Sequence, residues 1–121
     1  MLTPPTPDPI VGTWVARDVD GSAVTLTLAQ RPGGDFDLTL HDPYGSGCES
    51  LGAEVTVYEG VGTAVREGNG IHVTWSTEHC GDFRLNSPPF QMTYVPRRDQ
   101  IEGMNVTWDR SHPTGPTQVP Q

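Results

Sequence analysis

The chain contains no lysine, only two cysteines, and no apolar run approaching the roughly 20 residues that a membrane-spanning helix requires. Its seven cationic residues, all arginines, face 15 Asp and Glu, giving a formal net charge of -8 and an isoelectric point near 4.7. Scattered arginines cannot assemble the basic face that phosphate contacts or an anionic bilayer need, so neither a nucleic-acid partner nor membrane insertion is expected. Helical periodicity is missing too. No ten-residue stretch repeats apolar residues at i, i+3, i+4 and i+7, which predicts almost no helix. What the chain does have is 14 Gly and 12 Pro, placed mostly between short apolar runs, the composition of many strands joined by turns. At 121 residues it reads as one domain, large enough to bury about two-thirds of its unfolded surface and to fold without a metal.

Strand signals fill the middle of the chain. Ile10, Gly12, Trp14 and Ala16 alternate with Val11, Thr13, Val15 and Arg17 up to the turn Asp18-Val19-Asp20-Gly21. Val24, Leu26 and Leu28 mark a second strand, ended by Arg31-Pro32-Gly33-Gly34, and Phe36, Leu38 and Leu40 a third, followed by a longer loop through Tyr44 to Cys48. Ala53 to Glu67, Ile71-Val73-Trp75, Phe83-Leu85, Phe90-Met92-Tyr94 and a last run from Ile101 to Arg110 complete the pattern. Each has one apolar and one polar face, as a half-wet antiparallel sheet requires. Residues 1–9, rich in proline, read as a flexible tether left after export processing, 10–111 as the barrel domain, and 112–121 as a disordered tail.

Glu59-Gly60-Val61-Gly62 could be a hairpin turn or a bend inside one long strand, and cysteine parity helps to choose. In a Lys-poor chain that reads as exported, Cys48 and Cys80 are expected to form one disulfide; two free thiols in a reducing compartment are the other possibility. In an up-and-down meander, odd-numbered connections share one end of the sheet. Cys48 lies in the third. A turn at Glu59–Gly62 puts Cys80 in the sixth connection, beyond the 7 Å or so that a disulfide spans, whereas one bent strand puts it in the fifth, at the same end as Cys48. The bent strand gives eight strands. An even number lets the first and last meet antiparallel and close a barrel without edges.

Gly12-Thr13-Trp14 near the start, eight meandering strands, and Arg110 closing the run Trp108-Asp109-Arg110 resemble the calycin superfamily, which includes lipocalins, fatty-acid-binding proteins, avidins and small bacterial metalloprotease inhibitors. The resemblance implies that Trp14 packs across the barrel floor under Arg110, leaving the mouth at the other end. It covers residues of about 10 to 110 as a pattern, with Gly12, Trp14 and Arg110 as motif positions. Thr74-Trp75-Ser76 looks avidin-like, but Ala16 stands where avidins carry the Asn that holds biotin. No helical pair follows Arg17 as in fatty-acid-binding proteins, and a Pro-rich tail stands in place of the lipocalin helix. Thr3 to Pro9 resembles the plugging segment of the protease inhibitors.

Catalytic signals are weak, and the chain reads as a non-enzyme without cofactor. Asp18, Asp20, His41, Asp42, Tyr44, Glu78, His79, Asp82, Arg97 and Arg98 are expected at the mouth, but no HxH, HExxH or EF-hand spacing is present, so no metal is expected. Ser46, Ser50, Ser76 and Ser87 lack a GxSxG elbow. Asn105-Val106-Thr107 matches a glycosylation sequon, relevant only in a eukaryotic secretory host. The interior is the better candidate. Alternation turns Trp14, Val24, Leu26, Leu28, Phe36, Leu38, Leu40, Val55, Val57, Ile71, Val73, Trp75, Phe83, Leu85, Phe90, Met92, Tyr94, Met104, Val106 and Trp108 inward. Trp75, Phe83, Met92 and Tyr94, with Tyr44 above them, are expected nearest the mouth, where aromatic faces, a thioether and a hydroxyl suit a small hydrophobic or amphipathic molecule. The rival expectation is a protein partner, as for a secreted protease inhibitor acting through its loops or N-terminal segment.

Overall fold

The computed structural model describes residues 8–17, 21, 23–43, 48 and 57–111. They form nine strands: β1 (Gly12–Arg17), β2 (Ala23–Gln30), β3 (Phe36–Asp42), β4 (Tyr58–Glu67), β5 (Gly70–Cys80), β6 (Phe83–Leu85), β7 (Phe90–Val95), β8 (Gln100–Gly103) and β9 (Val106–Arg110). Every ladder is antiparallel. The order β4-β3-β2-β1-β9-β8-β7-β5 closes on itself because β4 also pairs with β5. β6 adds no stave to this ring. It pairs with the end of β5, Cys80 opposite Phe83, while β7 pairs with the beginning, Val73 opposite Phe90. The two share one position, interrupted at 86–89, where Pro88 and Pro89 cannot donate to a ladder. The fold is an all-β, eight-position, up-and-down barrel.

The expected eight therefore stands, although two strands divide differently. Phe83-Leu85 and Phe90-Tyr94 count once. The last run, expected to be continuous from Ile101 to Arg110, folds back on itself at Met104 and Asn105, both with positive φ (58° and 63°), the paired left-handed conformation of a tight hairpin. Met104, expected inside, is 46% exposed. The revised division moves the β7–β8 turn, with Arg97 and Arg98, from the expected mouth to the floor. On β4 the phase is also the reverse of that set by Val55 and Val57. Gly60, Gly62 and Ala64 are buried, whereas Val61 and Val65 are exposed; Val55 lies outside the described residues.

Trp14 and Arg110 close the floor. Trp14 is fully buried and donates its indole N–H to Ile10 O at 3.0 Å. Above it the Arg110 guanidinium stands 4.2 Å from the ring centroid, a cation–π contact worth about 0.5–2 kcal/mol. Arg110 grips Asp99 with two hydrogen bonds (Nε to Oδ2 2.8 Å, Nη2 to Oδ1 2.9 Å) and donates to Val11 O at 2.8 Å and to Pro9 O. Gly12 makes the approach possible. Its φ is +139°, and a Cβ there would lie 2.8 Å from Arg110 Nη1. Asp8 accepts from Ile10 N at 3.1 Å and pairs with Arg66, so Asp8 and Pro9, read from sequence as part of the tether, belong to the floor.

At the far end Cys80, the last residue of β5, is bonded to Cys48 with a Cα–Cα distance of 5.7 Å; both are buried. This is the expected pairing.

Arg110→Ala is expected to lower stability by about 2–3 kcal/mol, because it leaves Asp99 and two carbonyls without their shared donor; urea unfolding measures this, and Arg110→Lys, which cannot grip Asp99 at two points, should recover less than half. Loss of the disulfide, which closes a loop over a sequence separation of 32, is expected to cost about 3–4 kcal/mol, read as the difference between oxidised protein and the Cys48→Ser/Cys80→Ser double variant.

Candidate ligand-binding site

The inner wall of the far end is built from β4 and β5. Trp75 and Glu78 are three residues apart, so strict alternation would turn them to opposite faces of the sheet. The register shift between Val61 and Gly62 inserts Ser76 as an extra residue and lets both point inward. Gly60 and Glu78 are ladder partners, as are Tyr58 and Cys80. Gly60 supplies the room: a Cβ there would lie 2.6 Å from Trp75 Cζ3 and 2.9 Å from the Tyr58 hydroxyl oxygen. The indole lies over bare backbone.

Three rings gather on this patch. Tyr58 meets Trp75 edge-on, with centroids 6.3 Å apart and planes at 79°, and Trp75 meets Phe90 at 5.5 Å and 31°. All three are partly buried and pack against the core. Beneath them Glu78 is only 3% exposed. Its Oε1 accepts the Ser87 N–H at 2.7 Å, and its Oε2 accepts the Ser87 hydroxyl at 3.0 Å and the Tyr58 hydroxyl. These bonds offset the cost of burying a carboxylate. They also pin the β6–β7 interruption onto β5. The Tyr58 hydroxyl is pushed well above the usual phenol range, first by burial and then by donating to the negative Glu78. On the outer surface, where residues 74–77 of β5 lie opposite the interruption, Ser76, Thr77, Arg84, Leu85 and Asn86 line a polar depression of about 380 Å³.

The residues expected at the mouth are only partly brought together. Trp75 belongs to the patch. Phe83 does not: it is 45% exposed, and among the described residues β6 pairs on one side alone. Leu85 beside it is only partly buried. Met92 is buried in mid-barrel, a ladder partner of Ile71 and packed against Gly103. Tyr94 lies at the opposite end, 6.2 Å from Trp14, donating its hydroxyl to Asp99 at 2.8 Å with Arg66 over its ring. One cause accounts for Tyr94 and for Arg97 and Arg98. Treating residues 86–89 as a turn reverses the direction assigned to β7. Tyr44, Asp18 and Asp20 lie outside the described residues.

His41, Asp42, Glu78, His79 and Asp82 do fall at the far end, Asp42, the ladder partner of Tyr58, and Glu78 buried on the inner face and the others turned outward. His41 and Glu59 approach to 4.0 Å, and His79 Nδ1 is 3.0 Å from Gly81 O. Among the described residues no three metal-ligating side chains converge, and no helix is long and apolar enough to cross a membrane. Sequence reasoning missed Tyr58, and it missed Glu78 as an interior group. The available signal was Gly60-Val61-Gly62 opposite Trp75, two small residues on the face across from a large one. Comparison of the chain with protein-family models, with curated proteins and with solved structures finds no match.

Tyr58 and Tyr94 both have raised hydroxyl pKa values relative to the ordinary 10.0. A group that holds its proton more tightly when folded contributes stability that is complete below pH 10 and is lost as pH rises above it. At most one of the three tyrosines is expected to ionise near pH 10 in the native protein, followed by absorbance at 295 nm, with unfolding at higher pH releasing the rest. Tyr58→Phe should cost about 1–2 kcal/mol at neutral pH and flatten the alkaline loss of stability.

Proposed function

We propose that the protein is a non-enzymatic binder of a small, mainly apolar molecule, held at the far end of the barrel against Tyr58, Trp75 and Phe90 with its polar group at Glu78. The observation that carries this reading is the pairing of three half-buried rings with the buried carboxylate of Glu78 at the end opposite the Trp14–Arg110 plug. Apolar walls with a few fixed polar groups are the usual makeup of a small-molecule site. Membership of the calycin group is part of the proposal, supported by the closed eight-position barrel, by Gly12 and Trp14 on β1, and by Arg110 over the Trp14 ring. The buried disulfide supports an exported protein in an oxidising compartment. One observation favours a second reading, a protein-interaction module such as a secreted protease inhibitor: the outer edge of β6 is unpaired among the described residues, beside exposed Phe83.

Titration with the neutral fluorophore N-phenyl-1-naphthylamine separates the two. The small-molecule reading expects saturable fluorescence enhancement, at least tenfold weaker in Trp75→Leu and unchanged in Phe83→Ser, with circular dichroism confirming both folds. No saturable enhancement by the wild-type protein, or enhancement indifferent to Trp75, overturns it.

A further inference from the structure

We infer that the polar group of the ligand is a protonated amine, so that the site selects small aryl- or alkylammonium ions; this rests on the binding site proposed above. Glu78 is buried, yet each of its partners, the Tyr58 hydroxyl, the Ser87 N–H and the Ser87 hydroxyl, is neutral. The arginines are committed or placed elsewhere: Arg17 donates to Gly21 O at 2.9 Å, and Arg97 lies in the β7–β8 turn at the floor. Arg66 and Arg110 hold Asp8 and Asp99 at the floor, Arg31 sits between Asp35 and Asp37, and Arg98 faces Glu102. Arg84 lines the outer depression, as the ladder partner of outward-facing His79.

A carboxylate taken out of water without a cation keeps an unmet demand for positive charge that neutral hydrogen bonds offset only in part. The hydrogen-bond pattern of its two oxygens matches that demand. Oε2 accepts two hydrogen bonds and Oε1 one, which leaves an acceptor position on Oε1 for an incoming N–H. The rings strengthen the preference, since the faces of Trp75, Tyr58 and Phe90 carry the negative side of the aromatic quadrupole and attract a desolvated ammonium. The net charge of -8 acts in the same direction from a distance, concentrating cations and repelling anions. A neutral ligand of the same shape would meet the rings and leave the charge of Glu78 unanswered. Glu78 is thus the specificity-determining residue.

Three probes of one shape test this: 2-naphthylmethylamine, 2-naphthylmethanol and 2-naphthoate, each titrated calorimetrically at pH 7 into the wild-type protein and into Glu78→Gln. The expected result is that the amine binds at least tenfold tighter than the alcohol to the wild type, that naphthoate binds more weakly than either, and that Glu78→Gln brings amine and alcohol within twofold of each other. Equal binding of amine and alcohol to the wild type, or tighter binding of naphthoate, overturns the amine inference and leaves the small-molecule reading intact. The amine inference fails in the same way if N-phenyl-1-naphthylamine binds and the naphthyl amine does not. If no probe binds, the small-molecule reading fails as well. Should Glu78→Gln unfold, the wild-type ratio of amine to alcohol decides the question alone.

Discussion

The barrel depends on where one guanidinium lies. Arg110 is the last residue of the last strand, and it touches parts of the chain nearly the whole domain apart in sequence: the carbonyls of Pro9 and Val11, the face of Trp14, and Asp99 in the turn between β7 and β8. Its fork of five donors suits this work in a way that a point-charge ammonium would not. The spacing of Gly12 and Trp14 follows from it. Two residues apart on a strand, they share a face; the tryptophan offers a ring to cover, and the glycine leaves space for the covering group. Asp99 completes the arrangement by adopting a positive φ of 49° in the β7–β8 turn, where its carboxylate also receives the Tyr94 hydroxyl.

The two ends of the barrel solve opposite problems. At the floor Arg66 is matched with Asp8 and Arg110 with Asp99, and large residues such as Trp14 and Tyr94 fill the interior. At the far end small residues on β4, Gly60 and Gly62, make room for the Trp75 indole on β5, and the buried Glu78 carboxylate is held by neutral donors. A floor built this way is filled and charge-matched. The far end carries the groups on which chemistry with another molecule can be founded.

Much of the architecture was legible because hydrophobic alternation and cysteine parity are strong signals. Val24, Leu26, Leu28, Phe36, Leu38 and Leu40 are inside as their period of two requires, and Cys48 could reach Cys80 only if residues up to Glu67 did not turn at Gly60. The departures share a physical origin in places where the ladder breaks its own period. The bulge at Ser76 brings Glu78 inside against simple counting, and the interruption at Pro88 and Pro89 makes one barrel position look like two. The hairpin at Met104 and Asn105 has no glycine to announce its positive φ angles. Each leaves the apolar pattern nearly intact while reversing which face or which end a later residue occupies. The site suffered more than the fold for this reason, since Tyr94 changed ends and Phe83 lost its cover without any change in the strand count.

The ladder between β1 and β9 holds two residue pairs, Trp14 with Arg110 and Val15 with Asp109, whereas β1 and β2 are laddered along the full length of β1. Both seam pairs lie near the floor. Ser111 N extends the seam by donating to Thr13 O at 2.8 Å, so the closure of the ring and the covering of Trp14 by Arg110 are one construction, and a change at Arg110 acts on both.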